Sequence, residues 1–114
     1  MKKVLLVAMA LAFPLAAQAA VTTACNGVGG DVSIAGATTT FIVNTFTMKC
    51  SANVYIKYDQ SATAVGVAAV SGKGKNIFAG GSAGGQVKPS GNTCTACDLS
   101  SITDTMVATA LAGS

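Results

Sequence analysis

Asn53-Val54-Tyr55-Ile56-Lys57-Tyr58 alternates along its length: Val54, Ile56 and Tyr58 fall on one side of an extended chain, Tyr55 and Lys57 on the other. Successive strand side chains point to opposite faces, so the pattern is that of a half-buried strand at a sheet surface. Asp59-Gln60-Ser61 follows as a turn signal. Residues 63–70 then form a second predicted strand, with Val65 and Val67 on one face and Ala64, Gly66, Ala68 and Val70 on the other. Side chains that small allow a helix or a second sheet to approach closely.

Upstream, residues 38–48 read as a longer strand. Phe41, Val43, Thr45 and Thr47 alternate with Ile42, Asn44, Phe46 and Met48, and apolar groups on both faces predict a central, largely buried position. Residues 32–35 make a short strand, and Gly36 allows a turn. Residues 20–24 are a short leader to Cys25, and residues 25–31 are rich in Asn-Gly and Gly-Gly turn signals.

Downstream, Ser71-Gly72-Lys73-Gly74-Lys75 is a basic turn, residues 76–79 a short strand and residues 80–85 a Gly-rich loop. A phosphate-cradling loop needs a helix directly after it. Gln86-Val87-Lys88-Pro89 does not begin one, so a nucleotide site is excluded there, and residues 89–93 read as loop. The tail fits two patterns. As a helix it has a stripe of Leu99, Ile102, Met106 and Ala110, with Ser101 and Asp104 at capping-box spacing. As a strand its threonines alternate with Ile102, Met106, Ala108 and Ala110. The threonines favour the strand and the alanines the helix, and the reading leans to the helix. The expected fold is mainly β: a small, disulfide-stapled antiparallel sandwich or sheet with a C-terminal helix.

The start of the chain supplies an address. Met1-Lys2-Lys3 is basic, residues 4–17 are apolar apart from Pro14, and Ala17-Gln18-Ala19 presents small residues at the positions a signal peptidase reads. Residues 1–19 are therefore read as a cleaved signal peptide, and residues 20–114 as one small secreted domain. The apolar run is shorter than the roughly 20 residues a membrane span needs, and no later stretch supplies a span.

Cleavage removes two of seven lysines, leaving five against four aspartates, a net charge of +1 instead of +3. A nucleic-acid partner is not expected of so weakly basic a chain. There is no His, Arg, Glu or Trp. Missing with them are the commonest general base and metal ligand, and the bidentate clamp for phosphate or carboxylate. No catalytic residue, metal ligand set or cofactor is assigned.

Export places Cys25, Cys50, Cys94 and Cys97 where disulfides persist. Four cysteines allow three pairings. If Cys25 and Cys50 flank an antiparallel hairpin, its centre falls between Ala37 and Thr38, beside the turn at Gly36. That favours Cys25–Cys50 with Cys94–Cys97; the competing arrangement ties Cys50 to Cys94 or Cys97. Cys94-Thr95-Ala96-Cys97 also has the spacing of a thiol-redox pair. A helix starting near Asp98 would lower a thiol pKa there, whereas the Asp98 charge opposes a thiolate.

Thr47-Met48-Lys49-Cys50-Ser51-Ala52-Asn53-Val54, together with Gly72-Lys73-Gly74-Lys75-Asn76-Ile77-Phe78 and the Gly-rich stretch after it, is similar to small exported proteins of proteobacteria that carry no assigned activity. The resemblance implies an exported, cysteine-stapled bacterial protein. The chain does not resemble a chaperone–usher pilin, a curli repeat or a type IV prepilin.

The leading expectation is a non-catalytic secreted subunit that pairs with its own copies into an extracellular fibre or surface layer, using residues 38–48 and 63–70 as edges. The alternatives are a soluble periplasmic or secreted binding module, with Lys73, Lys75, Tyr55 and Tyr58 as its polar-aromatic site, and a small redox protein using Cys94 and Cys97.

Overall fold

The structure, a computed structural model, describes residues 20–84 and 86–113. The predicted signal peptide, residues 1–19, lies outside the described residues. Seven strands are followed by a short 3-10 turn and a helix: β1 (Thr22–Asn26), β2 (Gly30–Ile34), β3 (Phe46–Cys50), β4 (Val54–Gln60), β5 (Val65–Ser71), β6 (Asn76–Gly81), β7 (Lys88–Thr93), the 3-10 turn Leu99–Ser101 and α1 (Asp104–Ala112). All strand pairs are antiparallel. They form a five-stranded sheet in the order β1-β4-β5-β6-β7 and a two-stranded sheet of β2 and β3. The fold is mainly β, stapled by two disulfides and closed by a C-terminal helix, as the residue pattern predicts.

The two faces of the large sheet bury different clusters. On one, Ala68, Val70 and Ile77 meet Cys97, Ile102 and Val107 beneath α1. The small face of β5 has the expected consequence. A Cβ at Gly66 would collide with the backbone nitrogen of Leu111, and one at Gly81 with the carbonyl of Ala110. Two hydrogen atoms in place of methyl groups thus set the depth at which the helix sits. On the opposite face Tyr58, Ala24 and Cys25 pack against Ile34 and Cys50 of the β2–β3 hairpin, with Val67, Ile56 and Met48 at the margin.

Lys57 joins β4 to the C-terminal elements. Its ammonium donates to the Ile102 carbonyl at 2.8 Å and stands 3.7 Å from the Asp104 carboxylate, with only 17% of the Lys57 side chain exposed. The helix begins at a different cap from the one predicted. Thr103 accepts from the Met106 N–H to cap α1, while Ser101 belongs to an earlier box in which Asp98 caps the 3-10 turn. Because the chain restarts at Thr103, Val107 joins Ala110 as the buried face of α1.

Three further expectations are corrected. Residues 38–48 are not one central strand. Only Phe46–Cys50 is extended, while Phe41, Val43 and Phe46 are exposed. The threonines cause this: Thr40 Oγ1 contacts the carbonyls of both Ala37 and Ile42, and the Ala37 N–H donates to the Ile42 carbonyl, closing a compact turn. Side-chain bonds of this kind compete with a strand ladder. Residues 20–24 are not merely a leader, since β1 pairs with β4 from Thr22 onward. Residues 89–93 are not a loop, since β7 pairs with β6. Pro89 is tolerated because β7 is an edge strand.

Candidate functional site

The four cysteines form two bridges. Cys25–Cys50 has its Cα atoms 5.7 Å apart, and Cys94–Cys97 has them 5.2 Å apart. The first does not sit within a hairpin. β2 and β3 pair from Gly30↔Cys50 to Ile34↔Phe46, centred on Thr40, so Cys50 faces Gly30 in the ladder while its sulfur reaches Cys25 in the other sheet. The second closes a tight loop whose Cys97 is buried against Val70, Ile77 and Ile102. The Cys94 N–H donates to the Lys75 carbonyl at 2.9 Å, tying this loop to the basic turn.

Lys73 and Lys75 occupy the β5–β6 turn, exposed, with the Gly74 N–H donating to the Ser71 carbonyl at 2.9 Å. Of the two tyrosines only Tyr55 stands near that turn. Tyr55 lies on the α1 side of the sheet, its ring over Gly27 and Gly72 at the root of the turn. Tyr58 is buried on the opposite face beside the Cys25–Cys50 bridge. They are three positions apart along β4, an odd offset, so the pleat sends them to opposite faces. The four-residue polar-aromatic site is therefore not assembled.

Of the two segments expected to pair with another copy, residues 63–70 have no free edge, and of residues 38–48 only residues 46–48 lie in a strand that has one. β5 is the middle strand of five, hydrogen-bonded on both sides. The outer edges of β1 and β7 are interrupted. β1 is irregular between Thr23 and Cys25, and β7 contains Pro89 and opposes an irregularity between Asn76 and Phe78. Bulges and prolines blunt an edge against further pairing. The regular unpaired edges belong to β2 and β3, each of which has a single strand partner among the described residues.

Beside that hairpin the large sheet is only half covered among the described residues. Val67, paired with Tyr58 and Gly80, marks the margin. Beyond it Val65, Val67, Ala69, Phe78 and Val87 line an apolar groove of about 510 Å³. Phe78 is 44% exposed and Val87 77%. The sequence showed the alternation of Val65 and Val67 but not that their cover would be missing. Phe78 follows the buried Ile77 in β6, so the pleat turns it to the opposite face, but only the packing shows that little covers it there.

A second hollow was not legible in the sequence. It is a cleft of about 400 Å³ between β7 and α1. Ala79 and Met106 form part of its apolar lining, and Lys88, Ser90, Asn92 and Thr105 are among its polar groups. These residues are scattered over residues 79–106, and only the packing of α1 on the β6–β7 pair collects them.

The Asp98 carboxyl is perturbed by its neighbours. The Ser100 hydroxyl is the largest cause holding the Asp98 carboxyl below its ordinary 3.8; partial desolvation opposes it, and the backbone N–H groups of Ser101 and Ser100 add to it. Asp98 is thereby spent on capping. Among the described residues no group of three acidic, histidine or cysteine side chains could hold a metal ion, and no helix is long and apolar enough to cross a membrane. Comparison with known proteins gives no matching family model, no matching curated protein and no matching solved structure.

Proposed function

We infer that the protein is a non-catalytic, exported structural subunit that assembles with its own copies by β-strand pairing into an extracellular fibre or surface layer. The observation that carries this reading is the half-covered sandwich. The five-stranded sheet has an apolar inner face, the second sheet covers only its β1–β4 side, and that second sheet ends in unpaired strands. A strand from a second copy, added to the β2–β3 hairpin, extends the small sheet by ladder hydrogen bonds. Its alternate side chains then lie over Val67, Ala69 and Phe78. Strand addition draws affinity from the main chain and specificity from such side-chain pockets. If the contact is head-to-tail and does not close into a ring, it repeats into a filament.

The chemistry of the chain agrees. Without His, Arg or Glu it lacks the usual acid–base and anion-clamping groups. Two disulfides suit an oxidising compartment, and the leader-like residues 1–19 supply a route to it.

The test is electron microscopy of producing cells together with sizing of the purified protein under non-reducing conditions. The reading expects a fibre or layer containing this chain and a size that grows with concentration. A protein that stays monomeric at high concentration, on cells with no such structure, refutes it.

A further inference from the structure

We propose that the cleft between β7 and α1 binds a sugar acid, a hydroxyl-rich ring carrying one carboxylate.

The argument begins with shape. The cleft is about 400 Å³, near the lower end of the range for small-molecule sites. Its lining divides by chemistry. Met106 and Ala79 present methyl and thioether surface, which suits the C–H face of a saturated ring. Ser90, Asn92 and Thr105 line the polar side, offering the short hydroxyl and amide groups that exchange hydrogen bonds with ring hydroxyls. Among the described residues no aromatic side chain lines the cleft, so a flat aromatic ligand would find no stacking partner there.

Charge selects the acid. Lys88 stands opposite Ala79 in the β6–β7 register and so shares the helix-side face from which the cleft is built. Among the described residues Lys88 has no ion-pair partner. The four aspartates, all among the described residues, are engaged or placed elsewhere: Asp31 is 3.8 Å from Lys49, Asp104 is 3.7 Å from Lys57, Asp98 caps the 3-10 turn, and Asp59 is buried in β4. None of them lines the cleft. The cleft therefore carries one uncompensated positive charge beside a row of neutral hydrogen-bonding groups, which matches a single carboxylate on a polyol ring. The two sources of such a ring are a free sugar acid and a residue of an acidic polysaccharide.

The site is distinct from the assembly surface, because the apolar groove lies on the other face of the same sheet. Binding and assembly can therefore be tested separately.

The experiment is an NMR titration of the purified protein with galacturonate, galactose and acetate, following the Met106 methyl and the Thr105 amide. Galacturonate should give saturable shifts at both positions, and galactose and acetate should each bind about tenfold more weakly. Raising the salt concentration should weaken galacturonate but not galactose. Lys88→Gln, at an exposed position, should remove the preference for galacturonate, whereas Lys73→Gln should keep it. Tighter binding of trigalacturonate than of the monomer assigns the site to a polysaccharide, and equal binding to the free acid. The absence of a saturable galacturonate shift, galactose binding as well as galacturonate, or an unchanged preference in Lys88→Gln each overturns the proposal.

Discussion

Cys25 of β1 and Cys50 of β3 are joined across two different sheets, with their Cα atoms 5.7 Å apart and both residues buried in the same cluster. The bridge cross-links the five-stranded sheet to the hairpin that half covers it, beyond the short chain connections at residues 27–29 and 51–53, and so fixes the position of the unpaired β2 and β3 edges. A small domain buries too little surface to rely on packing alone, and staples of this kind supply the difference.

Replacing both Cys25 and Cys50 by Ala should destabilise the protein by about 3.5 kcal/mol, from the entropy of the loop they close. Replacing Cys94 and Cys97, only three residues apart, should cost about 2 kcal/mol. Chemical denaturation under non-reducing conditions measures both. An equal loss from the two pairs would show that loop length does not set the difference.

The helix is held at its depth by glycine. Gly66→Ala places a methyl group against the backbone of Leu111, and Gly81→Ala places one against Ala110. Backbone is a poor yielder, so each should destabilise by about 1–3 kcal/mol. Gly91→Ala is a useful contrast: its Cβ meets no atom within 4 Å, and its cost arises only from a φ of +86°. Thermal melts should rank Gly66 and Gly81 through packing, accompanied by increased hydrogen exchange in α1, which Gly91→Ala should not produce.

Lys57→Met removes the donor to the Ile102 carbonyl and should cost about 1–3 kcal/mol, because a largely buried acceptor loses its partner. Asp104→Asn leaves that hydrogen bond in place and removes an ion pair with an exposed carboxylate together with an acidic charge in the first turn of α1. It should cost about 1 kcal/mol or less. Urea midpoints of the two variants test the order, and a larger loss for Asp104→Asn would contradict it.

Asp98 gives the protein an acid-side dependence. Its folded-state pKa lies below the ordinary 3.8, so its carboxylate contributes stability above 3.8 that is lost as pH falls through the folded value. Asp98→Asn keeps a capping side chain without the charge. The variant should be less stable than the parent at neutral pH, and the gap should close only below pH 3.8. Melting temperature against pH checks this, and a gap constant down to the lowest pH would refute it.

Much of the β architecture could be read from the chain. The alternation through Val54, Ile56 and Tyr58 and the small face of Gly66, Ala68 and Val70 identify β4, β5 and the side on which α1 packs. The failures have physical causes. Residues 38–45 carry strand-favouring threonines, yet Thr40 spends its hydroxyl on local carbonyls, and the Phe41 N–H donates to the Ser61 carbonyl instead of to a strand. β7 contains proline and glycine, which read as loop until its edge position is known. The separation of Tyr55 from Tyr58 followed from their odd spacing, but proximity in sequence suggested one site. The cleft at Lys88 and the open groove at Phe78 depend on which elements lie above the sheet, a tertiary property that no local pattern contains.

Sedimentation of the parent protein beside Phe78→Asp tests the central claim most directly. Phe78 is 44% exposed in the uncovered groove, so an aspartate there leaves the fold intact while placing a charge on the surface a second copy must cover. The account predicts that the parent shifts to larger species as concentration rises, and that Phe78→Asp, folded and with both disulfides formed, remains a monomer. A monomeric parent at every concentration, or a Phe78→Asp variant that assembles as the parent does, would contradict it.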